Sequence, residues 1–278
     1  MNQIIIVNKE AGMTSRDVVN KIGKILNTKK VGHNGTLDPI AEGVLVITTN
    51  RYTKLNNLLA SEEKEYIAEV ELGKQTDTLD ITGKIEKEKE ETLNLELLRK
   101  TLKKYEKTYN QEVPKYSAIK VKGKKLYEYA RENKEIDLPK KEVTIKKIEL
   151  ISYTQNTFTF KTLVSKGTYI RSLIRDILND MNQLGTMSKL TRTKQGIFSI
   201  ENSYTIKQIE KGEYKYLKAK EALSIQQIKV NEKLEALIKN GVQLKGNYPE
   251  KVLFLNENDE ELAIYKKENE TMKVEVMF

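Results

Sequence analysis

The chain has 278 residues, 38% hydrophobic and 32% charged, enough for one large domain or for one medium and one small. Its net charge of +9 favours an anionic partner such as nucleic acid. With no cysteine and a single histidine, it excludes a disulfide framework, a thiolate metal site and an ordinary zinc enzyme. No apolar run approaches the ~18 residues of a membrane span. The stretch Met1 to Val7 is too short and too uncharged for a signal peptide, so a cytoplasmic protein is expected.

Gln3 to Val7 reads as a buried strand, followed by a turn from Asn8 to Ser15. Lys9 in that turn reads as a solvated loop lysine. Thr14 and Asp17 have the spacing of a capping pair for a helix with Val18, Val19, Ile22, Ile25 and Leu26 on one face. The stretch from Val31 to Leu45 then holds three glycines, Pro39, Asp38 and His33, and reads as a turn-rich loop. Asp38 precedes a proline, which pushes its backbone toward extended geometry, and Gly35 and Gly43 open conformations closed to other residues. The loop therefore presents an acid from a rigid support and runs into a strand from Val44 to Ile47.

A short helix is expected over Leu55 to Leu59. Glu65 to Gly73 alternates as a half-exposed strand with Tyr66, Ala68, Val70 and Leu72 on one face. Gln75 to Gly83, dense in Thr and Asp, reads as self-capping turns, with Asp77 in a structural role and Asp80 shaping a cleft. Glu86 to Glu91 reads as a solvated edge, and Leu93 to Leu102 as an amphipathic helix. From Lys115 to Lys147 there are 11 basic and 5 acidic residues, a net of +6, interleaved with Tyr116, Tyr127 and Tyr129. Basic groups neutralise phosphates and tyrosines can stack on bases, so this segment reads either as a lysine-rich surface helix and hairpin or as a nucleic-acid contact.

Val143 to Tyr153 and Phe158 to Ser165 read as a hairpin. Thr168 is expected to cap the next helix, whose buried face is Ile170, Leu173, Ile174, Ile177, Leu178 and Met181. Tyr169 and Arg171 fall at that strand-to-helix junction. Two short helices over Ser203 to Ile228 lead to a boundary and a small β-rich tail. The expected architecture is α+β: a large domain over 1–228 around a mixed, mostly antiparallel sheet flanked by helices, with the basic insertion at 115–147, and a small β-rich domain over 229–278.

The string Gly32-His33-Asn34-Gly35-Thr36-Leu37-Asp38-Pro39-Ile40-Ala41-Glu42-Gly43-Val44-Leu45 resembles G-H-x-G-x-L-D-P-x-A-x-G-x-L, the signature of the TruB family of tRNA pseudouridine synthases. Further family-like motifs follow in order: the Tyr66 and Ala68 strand, Thr76 to Gly83, Pro114 to Arg131, Ser165 to Arg171, and Leu190 to Gly196. The family has Lys-Pro where this chain has Lys9-Glu10, which removes proline's rigidity from the turn.

The resemblance implies a pseudouridine synthase fold with a PUA-like RNA-binding tail. It also implies isomerisation of uridine 55 in the tRNA T loop after base flipping, without cofactor or metal. Asp38 would be the nucleophile, attacking C6 or C1′ or taking a ribose proton. Tyr66 would stack on the uracil, Tyr169 would be a second wall, Leu190 would line the pocket, and Arg171 would hold Asp38. His33 would contact the RNA loop. Lys120, Lys122, Lys124, Lys125, Arg131 and Arg192 would meet RNA, with Arg192 otherwise capping local carbonyls. The T stem-loop of tRNA is the implied partner, with no membrane and no protein partner, and the chain acting as a monomer. Two alternatives are an RNA-binding or tRNA-folding protein in which catalysis is secondary, and a guide-directed synthase. Asp38 separates the first of these, because folding RNA needs no buried acid.

Overall fold

Ile4 to Val7 are all buried, as a strand covered on both faces requires. They belong to β1 (Ile4–Lys9) of the computed structural model, which describes residues 1–60, 63–132 and 134–278. Next comes α1 (Ser15–Ile25), closed at its start by the reciprocal Thr14–Asp17 box and burying Val18, Val19 and Ile22. β2 (Val31–Asn34) and β3 (Glu42–Thr49) follow. The segment from Val31 was expected to be all loop; its first four residues instead form a strand that pairs antiparallel with β3, His33 opposite Ile47. The expected helix at Leu55 to Leu59 starts earlier, as a 3-10 helix over Asn50–Leu55 that runs on into a turn.

β4 (Glu63–Leu72), the short pair β5 (Lys74–Thr76) and β6 (Ile85–Glu88), α2 (Leu95–Lys104) and β7 (Thr108–Glu112) come next. The basic segment contains β8 (Lys120–Val121), β9 (Lys124–Lys125) and α3 (Leu126–Arg131). Its last residues belong to β10 (Lys140–Tyr153), which is followed by β11 (Thr157–Ser165), α4 (Ile170–Asp180) and β12 (Gly185–Gln195).

The chain divides into two units, one of Met1–Pro39, Val44–Ala60 and Ile200–Phe278, the other of Ile40–Gly43 and Ser61–Ser199. In the second unit the strands run in the order β12, β4, β11, β10, β7, antiparallel at every step, with Glu42 and Gly43 lying parallel to β12. The sheet is thus mixed and mostly antiparallel. Tyr66, Ala68, Val70 and Leu72 of β4 are buried on one face beside Phe158, Phe160 and Thr162 of β11. α4 buries Ile170, Leu173, Ile174, Ile177 and Leu178 along one stripe, each worth roughly 1.5–3 kcal/mol of apolar burial.

The first unit carries β1, β2 and most of β3. Beyond the short helices Ile206–Glu210 and Ala219–Ala222 it also holds a separate five-stranded sheet. That sheet is made of Gln226–Lys229, Lys251–Leu255, Glu261–Glu268, Thr271–Met277 and Leu244–Lys245, in that spatial order, over a core that includes Ile238, Phe254, Tyr265 and Met272. A boundary at 228/229 falls inside its first strand.

Candidate active site

In the first unit the chemistry gathers around Asp38. Gly35 turns the chain out of β2 with φ 75°. The Ser15 hydroxyl, buried at the start of α1, then grips the next segment: it accepts from Leu37 N–H at 2.9 Å and donates to Leu37 C=O at 3.2 Å. On the other side of Asp38, the Pro39 carbonyl accepts from Gly12 N–H at 2.9 Å and from the Lys9 ammonium at 3.2 Å. Both neighbours of the acid are therefore fixed, while Asp38 itself is half-buried. Lys9 corrects the sequence reading. It is 0% exposed, and its ammonium also donates to Glu10 C=O at 2.9 Å. A cation removed from water needs such partners, and the turn supplies them from main-chain oxygens.

His33 is half-buried on β2. The next residue, Asn34, donates from its amide to Asn56 C=O, and the Asn56 side chain accepts from the Thr48 hydroxyl at 2.9 Å. The strand before the acid is thereby tied to the segment after β3.

In the second unit, Tyr66 stands opposite Arg192 and Thr162, and Leu190 opposite Ala68, so these side chains share one face of the sheet. Tyr66 and Leu190 are 7% and 6% exposed. Arg192 is a second correction. At 1% exposure its guanidinium is interior and does not face solvent phosphate. The same stretch of β12 leans on Gly43, whose φ is +96° and where an added Cβ would lie 2.3 Å from the Arg192 carbonyl oxygen.

Tyr169, not Thr168, occupies the N-cap of α4, and its side chain makes no capping bond. The Thr168 hydroxyl instead donates to Ser165 C=O at 2.9 Å, closing the turn before the helix. Arg171 is buried, and its fork donates to Thr78 C=O at 2.9 Å and to Tyr116 C=O at 3.0 Å. Within this unit it also pairs with the Asp80 carboxylate, at 4.0 Å. Asp80 is held in turn by Thr78 Oγ1 at 3.0 Å and by Thr82 N–H at 3.0 Å. Two buried charges thus compensate one another within a set of hydrogen bonds. Asp77 plays the structural part expected of it, accepting from Lys84 N–H at 2.8 Å and from the Tyr116 hydroxyl at 3.0 Å. Burial, followed by that carboxylate, raises the Tyr116 pKa.

The basic segment forms a tight hairpin, β8 against β9, turning at Lys122 and Gly123 with φ of 51° and 85°. Lys120, Lys122 and Arg131 are exposed. Lys124 lies over the Tyr129 ring at 5.1 Å, and Lys125 and Arg131 lie over Tyr127 at 5.3 and 5.4 Å. A cavity of about 830 Å³ opens beside this segment, lined by Tyr116, Tyr129, Lys115, Lys122, Asp77 and Glu86 among others. Among the described residues no cluster of His, Cys, Asp and Glu has the make-up of a metal site, and no helix is long and apolar enough to cross a membrane.

Solved structures share this fold. A ribonucleoprotein structure described as H/ACA RNP bound to a substrate RNA containing 2′-deoxyuridine contains a chain that aligns with a TM-score of 0.70 at 22% identity, covering 99% of this chain and 83% of that one. An archaeal box H/ACA Nop10–Cbf5 complex aligns at 0.68 and 23%, covering 99% and 84%. These likenesses establish the fold. A family model described as TruB family pseudouridylate synthase (N terminal domain) matches residues 23–170. The proteins called tRNA pseudouridine synthase B from Acholeplasma laidlawii and from Caldanaerobacter subterraneus are 39% and 41% identical, the first across all of both chains, the second across 88% of this chain and 87% of its own. The chain belongs to the TruB family of pseudouridylate synthases.

Sequence reasoning missed Lys9, Ser15 and the buried Gln111 of β7. The one available signal was at Lys9, which continues a strand whose preceding apolar run leaves no wet face.

Proposed function

We propose that this protein converts uridine 55 in the T loop of tRNA to pseudouridine, with Asp38 as the nucleophile. The reaction breaks the C1′–N1 glycosidic bond and joins C1′ to C5; C5 gives up its proton and N1 gains one. No atom is added and no electron leaves, so the chemistry needs an ionised acid, an extruded base and exclusion of water. Tyr66 stacks on the uracil, Tyr169 and Leu190 bound it, His33 meets the RNA loop, and Arg171 is the positioning cation. Lys120, Lys122, Lys124, Lys125 and Arg131 meet the RNA backbone. The residues that carry catalysis lie within 1–228, and the five-stranded sheet that begins at Gln226 serves as a PUA-like RNA-binding domain. The protein works in the cytoplasm as a monomer.

The observation that carries this reading is Asp38 inside the family's signature, between Leu37 gripped by Ser15 and Pro39 gripped by Gly12 and Lys9. An acid on so fixed a support is preorganised for attack. The test is a tRNA transcript treated with the wild-type protein and with Asp38→Asn, followed by carbodiimide sequencing of the T loop. Wild-type protein is expected to modify position 55, and Asp38→Asn to bind the transcript without modifying it. Modification by Asp38→Asn at the wild-type rate removes the nucleophile assignment.

A further inference from the structure

Helix N-caps are ordinarily Ser, Thr, Asp or Asn, whose side chains satisfy the first free main-chain donors. α4 begins on a tyrosine that does nothing of the kind. Its main chain is held from outside. The Gln111 carboxamide, 1% exposed on β7, accepts from Tyr169 N–H through Oε1 at 2.8 Å and donates to Tyr169 C=O through Nε2 at 3.1 Å. The same Nε2 donates to the Tyr109 hydroxyl at 2.8 Å, and Tyr109 donates to Asp176 at 3.1 Å. Arg175 fixes the other oxygen of Asp176 with two bonds of 3.0 and 2.8 Å. The amide fits only one way round, because a flip would set oxygen against oxygen at Tyr169 C=O. Burial and the Asp176 charge raise the Tyr109 pKa, which keeps its hydroxyl a donor near neutrality.

We propose that Gln111 is a positioning residue for the isomerisation: it clamps both main-chain groups of Tyr169, the N-cap residue of α4, and so sets the ring that serves the base. This rests on the reading of Tyr169 as a wall of the uracil pocket. The clamp ties β7 to the N-cap residue of α4, so the orientation of Tyr169, and of Arg171 two residues on, is set by an amide that need not touch RNA. The relay through Tyr109 to Asp176 and Arg175 locks the amide's rotamer, since α4 carries both ends of the circuit.

The test compares wild type, Gln111→Met, Tyr109→Phe and Ser172→Ala in single-turnover pseudouridine formation, transcript binding and thermal melting. Ser172 is the control. Its hydroxyl ties the same helix to Glu112 C=O at 2.8 Å without touching Tyr169. Gln111→Met is expected to lower kcat by about tenfold to a hundredfold, the scale of a small misplacement of a reacting group, with KM and transcript affinity near wild type. Tyr109→Phe keeps the ring volume and is expected to lower kcat by about two- to fivefold, which decides the matter if Gln111→Met fails to fold. Ser172→Ala is expected to lower the melting temperature while keeping wild-type kcat. Faster amide exchange at Tyr169 in Gln111→Met completes the expected result.

Wild-type kcat in both Gln111→Met and Tyr109→Phe, or an equal loss in Ser172→Ala, overturns the proposal while leaving the enzyme reading intact. Failure of the wild-type protein on the transcript overturns that reading and takes the proposal with it.

Discussion

The Lys9 ammonium donates to the Pro39 carbonyl at 3.2 Å, so a fully buried cation holds the peptide unit just beyond Asp38. Replacing it with methionine keeps the volume and removes the charge. The expected outcome is a severalfold lower kcat with a loss of about 1–3 kcal/mol of stability, since the Glu10 and Pro39 carbonyls lose the ammonium that donates to them. Lys9→Ala adds a cavity and is expected to cost roughly 2–4 kcal/mol in urea unfolding.

Arg171 reaches two carbonyls in different directions, those of Thr78 and Tyr116. A lysine at that position presents one point charge where a planar fork is required. Arg171→Lys is expected to destabilise the protein by about 1–3 kcal/mol through an unmet carbonyl and to lower turnover at least tenfold. Chemical unfolding and single-turnover kinetics read the two effects. Wild-type values in both would remove Arg171 from the site.

Gly43 has a φ of +96°, and an added Cβ would stand 2.3 Å from a backbone oxygen that cannot withdraw. Gly43→Ala is expected to cost more than about 3 kcal/mol, among the larger effects a single methyl produces. Gly12, also at positive φ but with nothing within 4 Å of its added Cβ, is expected to lose only about 1–2 kcal/mol to alanine, the cost of the left-handed backbone alone. Paired melting curves check the contrast.

The Asp17 carboxyl titrates below its ordinary value of 3.8, chiefly because the Thr14 hydroxyl and then the Thr14 N–H donate to it. A carboxyl lowered by folding contributes stability above its unfolded value and loses it as the pH falls through the lowered one. Asp176 works in the opposite sense. Burial raises its pKa against the pull of Arg175, so it costs stability at neutral pH and is relieved on acidification. Asp17→Asn is therefore expected to flatten the fall of melting temperature below about pH 4, and Asp176→Asn to steepen it.

Much of this fold can be read from periodicity. α1, β4 and α4 each bury one clean face, and Val18, Ala68 and Leu173 lie where their spacing puts them. β2 escapes that reading because Val31-Gly32-His33-Asn34 has neither alternation nor β-branched density; its strand geometry comes from pairing with β3. The acid and the aromatics stand in recognisable motifs. Their supports do not: Lys9, Ser15 and Gln111 are polar residues whose burial is decided by distant segments, the partners of the latter two lying 22 and 58 residues away in sequence. Arg192 misleads for the same reason, since composition cannot tell an interior guanidinium from one in water.

The Tyr116 carbonyl, one of the two acceptors of the Arg171 fork, lies at the root of the lysine-rich arm. That arm cannot swing at its base without surrendering a buried bond. A displacement of the arm at that root is accordingly felt at the first turn of α4, so hairpin and helix entrance share a single mechanical joint.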